Sequence, residues 1–266
     1  MQKRKAQVTL FVIVAIVLVV AALLILLYAQ GLILPIPEEE SRAILGSQVE
    51  PVRSLISNCV EQVSSDALVL IGMHAGLYNY EDMEVIDFAG DKVVVVKKSD
   101  TGFVNRMPPK NEIERQFELY MQSEGFEAID SCTNRFRNFD IEVTEGGKKI
   151  TANINDDSVN VNVDWPLTLR KGRARLDTDA RDLKINMKAG KVLSVANDIA
   201  NMEAQGTVFE GRNIDSYITQ SGLKLRDISL TAQHYPTAEE NIILLKTIPG
   251  EGEKEFRFYF AIERRL

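Results

Sequence analysis

The chain has 266 residues, 45% of them hydrophobic and 26% charged, with a net charge of −7 at pH 7. Those fractions suit a globular domain and exclude collagen, a disordered acidic tail and a disulfide-dense mini-protein. The acidic balance also argues against nucleic acid as a partner, which would call for a basic excess concentrated on one face.

Lys3, Arg4 and Lys5 open the chain, and no charge follows from Ala6 to Pro37. Within that stretch Val8 to Ala29 is a run of about 22 apolar residues, roughly 33 Å long as a helix against a hydrocarbon core of about 30 Å. A cleaved secretory signal has a shorter apolar region, about 7 to 15 residues. The predicted organisation is a basic cytoplasmic leader (1–6), a transmembrane helix (7–34), a juxtamembrane linker (35–48) and an extracytoplasmic α+β domain (49–266), with a subdomain division near Trp165. By the positive-inside rule Lys3, Arg4 and Lys5 stay in the cytoplasm, and everything after Pro37 lies outside the cell membrane. Pro35 and Pro37 end the membrane helix by fixing φ and withholding N–H donors.

The start Lys3-Arg4-Lys5-Ala6-Gln7-Val8-Thr9-Leu10-Phe11 resembles the archaeal class III, type IV pilin-like signal, in which basic residues, a small residue and Gln precede an uninterrupted apolar helix. The resemblance implies that a prepilin-type peptidase cuts the Ala6–Gln7 bond and leaves the helix as an anchor or filament core. Phe11 stands five places into that mature chain, where bacterial-type pilins carry an acidic residue. An uncleaved signal anchor is the other reading of the same residues.

Beyond the prolines, Val52, Leu55, Ile56, Cys59, Val60, Val63, Ala67 and Leu70 recur at three- and four-residue spacing, predicting a helix over 49–71 with Pro51 early in it and Gly72 as C-cap. A strand pair is expected at Met83–Phe88 and Lys92–Lys97 across Ala89-Gly90-Asp91. Pro108-Pro109 and Asn111 open a second helix reaching Phe136 with a break at Gly125. Alternating strands then follow at Phe139–Val143, Ile150–Ile154 after a Gly146-Gly147 turn, and Val159–Val163, which predicts a meander with one buried face. Leu167–Leu169 and Asp182–Met187 extend it. Helices at Lys191–Ala204 and Ile214–Thr219 precede three last strands, Leu223–Ala232, Ile242–Ile248 and Glu255–Ile262. The segment from Cys59 through Ala67–Gly72 to Ala75–Tyr78, with Cys132 and Asp164-Trp165-Pro166, is similar to membrane-anchored surface proteins of small-genome archaea. That likeness implies an exported surface protein and carries over no activity.

Few residues could carry chemistry. Cys59 and Cys132 fall on the two predicted helices, and outside the cytoplasm they are expected to form a disulfide; two reduced, buried thiols are the alternative. His74 and His234 lie far apart with no nucleophile elbow, and neither a phosphate-cradling loop nor a metal-spaced Cys/His set occurs, so no cofactor and no enzyme is expected. Asp177, Asp179 and Asp182 lack the Gly and distal Glu of a calcium loop and read as a solvated strand edge. Arg170, Lys171, Arg173 and Arg175 form the one local basic patch, suited to anionic lipid or an acidic neighbouring subunit, or to blocking unwanted strand pairing. The expected function is a structural or interaction role for a pilin-like envelope protein, self-assembling through its apolar helix or bound to another envelope protein. The alternative is a membrane-tethered binding or accessory module that forms no filament.

Overall fold

The computed structural model describes residues 16–26, 38–97, 105–133, 141–205, 218–219, 225–236 and 240–263. The leader with its Ala6–Gln7 junction, both ends of the predicted membrane span, the Pro35/Pro37 break and most of the predicted 214–219 helix lie outside the described residues. Residues 16–26 are helical (α1), and among the described residues no helix is long and apolar enough to cross a membrane.

The main helix is longer than its sequence suggested. Helix α2 spans Glu38–Met73, so the predicted linker is helical from Glu38 onward, and Pro51 lies inside the helix rather than near its start. Proline gives up only the bond to the carbonyl of Ser47, and the buried stripe runs straight past it: Ser41, Leu45, Val52, Ile56, Cys59, Val60, Ser64, Ala67, Leu68 and Ile71. Glu38, Glu39 and Glu40 form the first turn, where carboxylates oppose the helix dipole favourably.

Helix α2 packs on one side against a bent antiparallel meander and on the other against a five-stranded sheet. The hairpin of β1 (Val85–Phe88) and β2 (Asp91–Lys97) turns through Ala89 and Gly90, both at positive φ, as a two-residue hairpin favours. Strands β9 (Ile228–His234), β10 (Glu240–Thr247) and β11 (Arg257–Glu263) complete the sheet in the order β1-β2-β11-β10-β9. Every pairing is antiparallel except β2 with β11. Between these parts, α3 (Lys110–Tyr120) runs through a π turn at Met121–Gly125 into α4 (Phe126–Thr133), so the expected break at Gly125 is a widened turn in a continuing helix. Helix α5 (Ala189–Ala204) packs on β2, β10 and β11.

The meander corrects the expected Gly146-Gly147 turn. Strands β3 (Glu142–Glu145) and β4 (Lys149–Ile154) both run antiparallel to the next stretch of chain, β4 to β5 (Val159–Asp164) and β3 to β6 (Pro166–Lys171). Gly146 and Gly147 therefore sit in a kink between two halves of one long strand, and the Gly146 N–H bonds the Pro166 carbonyl at 2.8 Å. The third long strand is β7 (Ala174–Asp179) followed by β8 (Leu183–Ile185), kinked where Val163 N–H bonds the Asp182 carboxylate instead of a ladder carbonyl. Trp165, where the sequence suggested a division, is the kink of the middle strand. It is fully buried in one hydrophobic cluster that extends from Leu45 to Ile262.

Gly72 does not cap α2, which ends one residue later. A Cβ there would overlap the Arg257 carbonyl oxygen, so glycine is what lets α2 approach β11. Gly46, on the exposed side of the same helix, has nothing within 4 Å of a Cβ. Gly72→Ala is expected to destabilise by about 1–3 kcal/mol through overpacking, and Gly46→Ala to stabilise by about 0.5–1 kcal/mol through helix propensity. Chemical denaturation of the two variants checks both signs.

Candidate functional site

The cysteines meet. Cys59 on α2 and Cys132 on α4 form a disulfide with Cα atoms 5.9 Å apart, pinning the end of the second helical stretch to the middle of the first. Cys59 is buried among the α2 stripe, so the bridge continues the apolar contact between the helices.

The basic run is a hairpin. Arg170 and Lys171 end β6, Arg173 follows Gly172 at φ 58°, and Arg175 begins the outward positions of β7. Arg170 and Arg175 are direct cross-strand partners, a placement of like charges that works against the hairpin. Arg175 bonds Asp177 at 3.0 Å, and Asp177 accepts from Thr168 at 2.7 Å; the Thr168 hydroxyl and then Arg175 hold its carboxyl below the ordinary range. Asp179 offers its backbone carbonyl to Arg53 at 3.1 Å, and Asp182 takes the Val163 N–H at 2.7 Å. The three aspartates thus serve separate structural bonds, and among the described residues no group of three or more His, Cys, Asp or Glu side chains could hold a metal ion.

The histidines stay apart. His74 sits in the turn after α2 with its ring 4.8 Å from that of Tyr80, while His234 is exposed at the end of the edge strand β9. Burial pushes the His74 value below 6.5, against the opposing pull of Asp91.

Two lysine clasps had no linear signal, because each depends on at least one partner from a distant segment. In the kink between β3 and β4, the Lys148 ammonium contacts Asp130 of α4 and Glu145 at 2.8 Å and lies 4.5 Å above the Trp165 ring. Burial alone would lower its value, but the hydrogen bonds it donates to Asp130 and Glu145 raise it on balance. Lys188, just before α5, bonds Glu253 at 2.8 Å and Asp227 at 3.4 Å, and Glu253 chiefly raises its value. Both lysines are held as ammonium ions, which suits ion pairing and not nucleophilic attack.

A groove of about 380 Å³ lies between the approach to α3 and the start of α5, lined by Met107, Pro109, Asp156, Ser194 and Asn197. A shallower hollow of about 460 Å³ covers the outer face of β3, β6 and β7 and includes Thr168, Arg175 and Asp177. No family model, no curated protein and no solved structure matches the chain.

Two outcomes follow from this geometry. Replacing both cysteines by alanine removes a cross-link between residues 73 apart, and the chain-entropy relation gives a loss of about 4 kcal/mol, measurable by denaturation with and without reductant. For His74 the folded value lies below the free value of 6.5, so the unfolded chain takes up protons first on acidification. The contribution is complete above pH 6.5 and is lost as pH falls from there through the folded value. His74→Gln is expected to flatten that part of the stability–pH curve.

Proposed function

We propose that the chain is an exported, single-pass, pilin-like protein of the archaeal cell envelope, with its basic tail in the cytoplasm, its α+β head outside, and a structural or interaction role. The observation that carries this reading is α1: across residues 16–26 every side chain is exposed, and Ile16 to Leu26 includes nine large aliphatic residues at 51–68% exposure. A helix that is apolar all round has no stable place in water and needs lipid or other apolar helices around it. The charge-free run continues on both sides of these residues, and Lys3, Arg4 and Lys5 precede it. The Cys59–Cys132 disulfide fits an oxidising compartment. Helix α2 supports a pilin-like layout, because it begins at Glu38, soon after the apolar run, and is the element about which the head is built.

On this reading a prepilin-type peptidase removes residues 1–6, and the α1 helices face lipid in a monomer or one another in a filament. A tethered binding or accessory module, without filament assembly, is the second reading. Phe11, in place of the acidic residue of bacterial-type pilins, and the groove beside α5 favour it.

Intact mass of the protein from its native membrane, with and without reductant before alkylation, tests the proposal. The expected result is a membrane-retained chain lacking Met1–Ala6 whose cysteines react only after reduction. Release of the chain by alkaline washing, or thiols that alkylate freely, would overturn the exported, anchored topology. An uncut chain in the membrane would favour the tethered module.

A further inference from the structure

The edge of a sheet presents unpaired N–H and C=O groups, and proteins commonly blunt it with charge or cover it with another element. Most edges of this molecule are treated in one of those ways. Helix α3 packs on β4, and α2 packs on β7 and β8. Edge strand β1 carries Asp87, and edge strand β3 carries Glu142 and Glu145. Strand β9 differs. It ends the five-stranded sheet with β10 as its one strand partner among the described residues, and its seven residues from Ile228 to His234 include no Asp, Glu, Lys or Arg. The helices on this sheet, α2 and α5, lie over β2, β10 and β11. Thr231, Gln233 and His234 are exposed.

The register fixes which backbone groups of β9 point outward. Two bonds continue the β9–β10 ladder beyond its ends: the Tyr235 N–H reaches the Glu240 carbonyl at 3.1 Å, and the Ile248 N–H reaches the Asp227 carbonyl at 2.8 Å. Hydrogen-bonded pairs alternate along an antiparallel ladder. Ser229, Thr231 and Gln233 therefore bond β10, while Leu230, Ala232 and His234 turn their N–H and C=O groups away from it. Ile228 adds an outward carbonyl, its N–H being taken by the Leu225 carbonyl at 3.0 Å. These outward groups have no partner among the described residues. On the core side Leu230 and Ala232 are only half-buried, at the rim of the main hydrophobic cluster. An uncharged edge with a partly covered apolar rim is matched by an edge of the same character, and a second copy of the chain supplies one. Turned about a two-fold axis at Thr231, the midpoint of β9, the second copy sets its Ala232 and Leu230 opposite Leu230 and Ala232 of the first, so that outward groups meet in hydrogen-bonded pairs. His234 N–H then meets the Ile228 carbonyl, and Thr231 faces its own counterpart, a favourable cross-strand pair. The same operation on β3 would set Glu142 against Glu145, like charges directly opposed.

We propose that β9 is a self-association edge: two copies of this chain join by antiparallel β9–β9 pairing about Thr231, and their five-stranded sheets become one continuous sheet. The contact uses the same strand on both copies, so it closes at two. It goes beyond the envelope-protein reading and does not require the anchor, because every group it uses belongs to the head.

The test is disulfide trapping of the full chain in detergent micelles under a mild oxidant, with each link located by peptide mass so that the native Cys59–Cys132 bridge is told apart. In a non-hydrogen-bonded antiparallel pair the Cα atoms lie about 4.5 Å apart, inside the range of about 4.4–6.8 Å that a disulfide accepts. Thr231→Cys is therefore expected to double in mass through a link between its two copies of residue 231. A mixture of Ser229→Cys and Gln233→Cys is expected to link residue 229 to residue 233. Gln233→Cys alone is expected to stay single, because its two copies are displaced by four residues, about 14 Å. All three positions lie on the face of β9 opposite Leu230 and Ala232, and an intact native bridge shows that each variant is folded. A folded Thr231→Cys chain that forms no link overturns the proposal. Equal linking by Thr231→Cys and Gln233→Cys overturns it in favour of contact through another surface, such as the apolar helix. Linking of Thr231→Cys to a different polypeptide in native membranes, with none between copies, overturns it in favour of a foreign strand. Each of these failures leaves the anchored reading standing, since that reading is judged by processing and membrane retention.

Discussion

Burial of α2 from two sides is the constraint on which the rest of the molecule depends. A helix against one sheet needs one apolar stripe; α2 from Cys59 to Gly72 is buried at Cys59, Val60, Ser64, Ser65, Ala67, Leu68, Ile71 and Gly72, which spread around the helix. Ser64, Ser65, Ala67 and Gly72 among these are small or hydroxylated, and that is what lets the meander, α4 and β11 approach together. The closest approach is at Gly72, where helix and strand nearly touch. The chain then leaves the helix through Ala75 and Gly76 at positive φ, and Ala75 N–H bonds the Tyr259 carbonyl at 3.0 Å.

Around that spine the kinked meander supplies the second layer. A flat three-stranded ribbon of this length would leave one half of its buried face without a partner. The kinks at Gly146-Gly147-Lys148, Trp165 and Ala180-Arg181-Asp182 occur side by side, so all three strands bend together and Ile150, Val161, Leu167 and Leu169 all reach the core. The kinks free backbone donors, and side chains take them up where the ladder fails, as Asp182 does for Val163. Lys148 occupies the same bend and ties it to α4, the helix that the disulfide fastens to α2. Covalent and ionic links thus converge on α4, the last eight residues of the helix that continues from α3 through the π turn.

The sequence was most legible where one face of an element meets the core. The alternation in Lys149–Ile154 and Val159–Asp164, the β1–β2 hairpin, the α5 helix and the last two strands all carry a period that burial enforces locally. It was less legible where a residue serves two ends. Pro51 and the three glutamates read as boundary signals, yet Ser41 and Leu45 continue the apolar spacing across them and tertiary burial outweighs the one lost bond. Gly146-Gly147 reads as a turn because glycine marks both turns and kinks, and only the pairing partners tell them apart. Strand β7 was hidden by its charges: Arg175, Asp177 and Asp179 face outward, and of the inward positions Ala174, Leu176 and Thr178 only Leu176 is a large apolar residue. The cysteine pair was legible because two thiols admit one pairing. The lysine clasps were not, since Lys188 meets partners 39 and 65 residues away with no spacing rule to reveal them.

The position of the disulfide along α2 also says how the head would carry load from an anchor. Tension applied at Glu38 acts first on the stretch before Cys59, which holds to the meander through Ser41, Leu45, Val52 and Ile56 and through the Arg53 and Arg181 contacts. That stretch lies alongside β7, so pulling along the helix shears its contacts together instead of opening them one at a time. At Cys59 the load passes through a covalent bond into α4 and from there through Lys148 into the bend of the meander. Separation of α2 from the head must therefore stop at Cys59 while the disulfide is intact, and reduction would let it proceed toward Gly72. A bridge at either end of α2 would give less: near Glu38 it would leave most of the helix to the noncovalent core, and near Gly72 it would act only after the stripe had been lost. Placed at Cys59, it protects the half of the helix that is buried on both sides, the half from which the two sheets take their positions.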